Sequence, residues 1–126
     1  MEVTMSTPTK ARISTTADEK FLHMVDAVTS HKVKTNDEIG TQQEQQENDC
    51  ILAMQEIAVA NLVGFLMMAV FKRRAQHRQT NEEHETARCA IESVTIKLCQ
   101  AFYSANQTAL AEAVAEAKVE WEHLHR

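Results

Sequence analysis

Between Ile57 and Phe71 the chain reads IAVANLVGFLMMAVF, with Asn61 as the one polar side chain in the run. A helix made from such a run is apolar around its whole circumference, so protein or lipid must cover it on every side. The rest of the chain lacks the means to build a sheet. It holds two glycines, Gly40 and Gly64, and one proline, Pro8, in 126 residues. Sheets need turn residues every ten or so positions. Ala, Glu, Gln, Leu, Met and Lys dominate instead, and all are good helix formers. The sequence therefore predicts an all-α fold.

Helix start signals divide the chain. Thr16-Ala-Asp-Glu19, Thr35-Asn-Asp-Glu38, Thr41-Gln-Gln-Glu44 and Thr80-Asn-Glu-Glu83 each offer a Thr hydroxyl to the N3 backbone N–H and a Glu that reaches back to the cap. Three helices are predicted. A short amphipathic helix covers 16–34, with Phe21, Val25, Val28 and Lys32 on one stripe. A long central helix covers 42–79 and carries the apolar segment 50–71. A long amphipathic helix covers 80–126. Its seam is Ala87, Ile91, Val94, Leu98, Ala101 and Ala105, then Leu110, Val114, Ala117, Trp121 and Leu124 in a shifted phase. The shift falls at Ser104-Ala-Asn-Gln107, where a stutter and a break fit equally well. The Ser- and Thr-rich residues 1–15 lack the apolar core of a secretory signal and read as an untethered tail.

Length and flanks bear on whether the central helix spans a membrane. Cys50–Phe71 would rise about 33 Å as an α-helix, close to the ~30 Å of a hydrocarbon core. Lys72, Arg73, Arg74 and Arg78 follow at once, where long basic side chains can reach lipid headgroups. The preceding flank, 35–56, has six acidic residues and no Lys or Arg. The positive-inside rule then puts the C-terminal half on the cytosolic or matrix side. Ala60 and Gly64 form a small-xxx-small pair, with Asn61 beside them as a hydrogen-bonding group, which suits close packing against another helix. In a soluble chain the same helix would need three or more neighbouring helices, and hence an oligomer.

Catalytic and ligand-binding chemistry finds little to stand on. Glu120-Trp-Glu-His123 is an E-x-x-H pair near the end of the last helix, whereas a di-iron bundle needs such pairs on two separate helices and two further Glu. His84-Glu85 lacks the second His of a zinc-protease helix, since position 88 is Arg88. Cys50, Cys89 and Cys99 form no CxxC motif and read as free thiols. Two isolated glycines cannot form a phosphate-cradling loop. The formal net charge of −5 with one short basic cluster is a poor footprint for nucleic acid. The sequence thus leads to a non-catalytic accessory subunit of a membrane assembly, without cofactor, metal or small-molecule substrate. Such a subunit would have the central helix in a bilayer, with an organellar inner membrane such as the mitochondrial one suggested by the basic inner flank. It would contact other protein subunits by helix packing. The alternative is a soluble helical oligomer.

Overall fold

The computed structural model describes residues 16–30 and 32–126. The tail expected over 1–15 lies outside them. Among the described residues four α-helices follow in order: α1 (Thr16–Thr29), α2 (Gln42–Gln76), α3 (Asn81–Tyr103) and α4 (Gln107–Leu124). No strand occurs among the described residues. The all-α expectation holds, and the three-helix count does not.

The difference lies at the phase shift. Ser104 closes α3, Ala105 takes a left-handed φ of 57°, and Asn106 opens α4 by accepting the Ala109 N–H. Ala105 N–H donates to the Phe102 carbonyl, and Asn106 N–H to the Ala101 carbonyl. These are the two bonds of a Schellman stop, made here without the usual glycine. One predicted helix over 80–126 is therefore two, and the second doubles back on the first. The end of α2 uses a related device. Arg78 is left-handed at φ 48°, and Gln79 N–H reaches the Arg74 carbonyl, so α2 stops at Gln76.

The first helix is also shorter than predicted. The Thr29 hydroxyl bonds the Val25 carbonyl at 2.9 Å and Ser30 does the same to Asp26, drawing on the last-turn carbonyls. Asn48 of α2 then holds Lys34 from both sides. It accepts the Lys34 N–H at 2.7 Å and donates to the Lys34 carbonyl at 3.3 Å, which satisfies an extended backbone in place of a helical one. Lys32, expected on the apolar stripe, is exposed. The Thr35–Glu38 capping box closes a single 3-10 turn, Asn36–Glu38, and Thr41 is the cap that starts α2.

The helices alternate in direction. α2 packs against α1, α3 and α4, and α4 also meets α1 and α3. Phe21, Val25 and Val28 of α1 enter the core, as do Leu62, Leu66 and Val70 of α2. They meet Ile91, Val94 and Leu98 of α3, and Leu110, Val114, Ala117, Trp121 and Leu124 of α4. Ala101, Ala113 and Ala117 keep the α3–α4 contact free of bulk. The two ends of the described chain are locked together. Trp121 is stacked on Phe21 with ring centroids 4.3 Å apart, and its indole Nε1–H donates to buried Asp18 at 2.8 Å. Such a stacked pair adds about 0.5–1.5 kcal/mol beyond the area it buries. Gln55, fully buried in α2, donates to the Val28 carbonyl at 2.9 Å and fixes α1 along α2.

Two outcomes follow for stability. A left-handed L-residue costs about 1–2 kcal/mol, partly offset by the extra freedom glycine brings to the unfolded chain. Ala105→Gly should therefore stabilise the bundle by about 0.5–1 kcal/mol in urea unfolding, and a loss of stability would refute the left-handed stop. Glu44 is held below its ordinary value of 4.5, first by its bond to Lys34, and Glu83 likewise by the Thr80 backbone N–H. Carboxyls depressed in the folded state contribute stability above their unfolded value, and it is lost as pH falls through the lowered one. The unfolding midpoint should thus decline as pH is taken below about 5. A midpoint that rises in acid would contradict these contacts.

Candidate helix-docking face

On α2 the residues that face the core are Gln55, Ala58, Val59, Leu62, Leu66, Ala69 and Val70. Turning the helix by half a revolution brings a second apolar set to the surface: Met54, Ile57, Met68 and Phe71, exposed by 48, 63, 59 and 56%. Their area lies open because three amphipathic helices suffice to cover one side of the rod and no more. The most apolar 18-residue window of α2 is only 28% buried inside the bundle. Helix α2 is also the one helix among the described residues that is long and apolar enough to cross a membrane.

The three residues predicted as a packing site, Ala60, Asn61 and Gly64, sit in the middle of this open face. No other helix among the described residues covers them. A methyl group placed on Gly64 would meet nothing within 4 Å. Glycine in an exposed helix interior costs about 0.5–1 kcal/mol against alanine, and no contact among the described residues offsets it. Phe71 closes one end of the face, its ring tilted against buried His84 at 5.5 Å.

The basic residues at the end of α2 divide in their roles. Arg73 donates from Nη1 to the Leu124 carbonyl at 3.0 Å and to the Arg126 carbonyl at 3.3 Å, and so caps the C-terminus of α4. Arg74 bonds the Asn81 side chain across the α2–α3 turn. Lys72 and Arg78 are exposed. The sequence could not show that Arg73 serves α4, because the bond depends on α4 lying parallel to α2. At the other end Glu44 is paired with Lys34 at 2.6 Å, while Glu47 and Asp49 face outward. The face thus carries an acidic end and a basic end.

Other candidate chemistry stays dispersed. Glu120 and His123 stand 3.9 Å apart on α4, and no group of three or more His, Cys, Asp or Glu gathers in a metal-ligand arrangement among the described residues. Cys50 and Cys89 are exposed thiols and Cys99 is half-buried. A cleft of about 260 Å³ beside the face has Phe65, Met68 and Trp121 in its floor and Lys20, Lys72 and His125 at its rim. Glu56 accepts a bond from the Tyr103 hydroxyl at 3.2 Å, which pushes the phenol above its usual range. No protein-family model matches the chain, and neither a curated protein nor a solved structure does so.

Proposed function

We propose that this chain is a non-catalytic helical interaction module, working in aqueous surroundings, that docks a partner helix along the open face of α2. The observation that carries the reading is the exposed apolar stripe Met54–Phe71 with a small and polar centre at Ala60, Asn61 and Gly64. Contiguous apolar surface of this kind marks an interaction site. Small residues at its middle let a second backbone come close, and Asn61 offers both donors and an acceptor to fix the alignment. Recognition by helix packing calls for no metal, cofactor, nucleic acid or small-molecule substrate.

The company α2 keeps supports an aqueous setting. Its core face is covered by α1, α3 and α4, and the outer faces of α3 and α4 carry Glu85, Arg88, Glu92, Lys97, Glu112 and Glu116. Taking the bundle into a bilayer would carry these charges with it, at about 2.5–3.5 kcal/mol for each of Arg, Lys and Asp at mid-depth. Opening the bundle to free α2 would expose Phe21, Leu98 and Trp121. A second reading keeps α2 as the single span of an accessory subunit of a membrane assembly, with its basic end in the cytosol or an organellar matrix. The length and apolar character of α2 favour it.

Flotation with vesicles of neutral and anionic phospholipid, washed in alkaline carbonate, separates the two. The interaction module should stay at the bottom of the gradient with its helical circular dichroism intact. Chain that floats and resists carbonate would overturn this proposal in favour of the span.

A further inference from the structure

The open face of α2 has a finer pattern than exposure alone. Cys50, Met54, Ile57, Asn61, Gly64, Met68, Phe71 and Ala75 are all exposed, and they follow one another at steps of 4, 3, 4, 3, 4, 3 and 4. That is the 3.5-residue period of a coiled-coil seam, held over about 37 Å of helix. It lies opposite the core-facing residues, and apart from the Phe71 ring on His84 and Met68 beside the Trp121 cleft its side chains are not taken up by the bundle. Asn61 falls at an a position when Ile57, Gly64 and Phe71 are placed at d. A single buried Asn at a is the device that fixes register and strand number in paired helices.

Two properties select the occupant. The spacing reads the same in both directions about a point between Leu62 and Val63, so the seam is complementary to itself when one copy is reversed. The charges repeat the statement. Glu47 and Asp49 flank one end, where Lys34 is taken up by Glu44 and Lys32 by Glu38, and Lys72 and Arg78 flank the other. A parallel pair would set acid beside acid and base beside base. A reversed pair sets each acidic end beside a basic one.

Building on the interaction-module reading, we infer that the partner helix is α2 of a second copy of this chain, docked antiparallel about a two-fold axis at residues 62–63. In this register Met54 meets Phe71 of the partner subunit, and Ile57 meets Met68 of the partner subunit. Cys50 faces Ala75 of the partner subunit. Asn61 lies over Gly64 of the partner subunit, where the missing side chain leaves room for its amide. This places the glycine that no contact among the described residues explains at the closest approach of the two backbones. Self-complementary surfaces of this type are what a two-fold dimer requires.

The full chain in detergent-free buffer tests the inference by sedimentation equilibrium. The expected mass is twice 14.2 kDa. Ile57→Glu with Met68→Glu should halve it without loss of helical circular dichroism, because both side chains are exposed in the single chain. Orientation is read by oxidation after Cys89→Ser and Cys99→Ser. Adding Ala75→Cys should give a dimer whose linked peptides join positions 50 and 75, while Cys50 alone should give none. A Cys50–Cys50 link in the parent would mean a parallel pair and overturn the geometry. A dimer indifferent to the two Glu substitutions would overturn the surface. A chain that is monomeric throughout, yet stays at the bottom of the vesicle gradient, would overturn self-pairing while leaving the interaction-module reading intact. Flotation would remove that reading itself.

Discussion

The constraint that governs this molecule is the cover of α2. An apolar rod with one polar side chain between Ile57 and Phe71 cannot face water on all sides. The chain answers with three amphipathic helices laid along one side. Helix α1, with 14 residues, is of a length that is marginal alone in water, and α3 and α4 draw most of their stability from the apolar face they pack. The rod in turn has no core without them. Cooperation of this kind places most of the stability in the shared interior and little in the individual helices.

The third covering helix exists because α3 ends. Left-handed Ala105 and the Schellman bonds to Phe102 and Ala101 reverse the chain, and Asn106 caps the new helix. Reversal carries Trp121 back to Phe21 and Asp18, where stacking and a buried hydrogen bond close the bundle. It also brings the end of α4 to Arg73, which takes up the final carbonyls. A basic residue that reads as a membrane flank in one dimension is a helix cap in three. Polar groups within the apolar zone have similar positional uses. Asn48 fixes the loop after α1, and Gln55 sets α1 along α2. Asn61 differs from both in facing outward.

Much of the architecture is legible in the residue pattern. The two phases of the C-terminal seam name most of the buried residues of α3 and α4; they miss His84 and Ala113, and of the residues they name Ala87 is half-buried and Ala105 turned outward. Caps at Thr41 and Thr80 stand where Thr and Glu recur at the required spacing. The end of α3 is not legible in the same way. Its stop lacks glycine, and a phase shift alone suits a continuous helix as well as a broken one. The early end of α1 has a local mark in the Thr29–Ser30 pair, but the path of the chain after it depends on Asn48, fourteen residues beyond Lys34, and no local signal shows that. Ala60, Asn61 and Gly64 stand out in the sequence as a packing motif. Which side of α2 they occupy becomes clear only once the core has claimed the other.

The sole tryptophan tests most directly whether α1 and α4 close over α2 in water. Its indole is buried between helices, stacked on Phe21 and bonded to Asp18. In detergent-free buffer, urea unfolding followed by Trp121 fluorescence and by far-ultraviolet circular dichroism should give one coincident transition from a blue-shifted folded state. Emission already at the solvent-exposed wavelength in the helical chain, or lost well before helicity, would contradict the closed bundle.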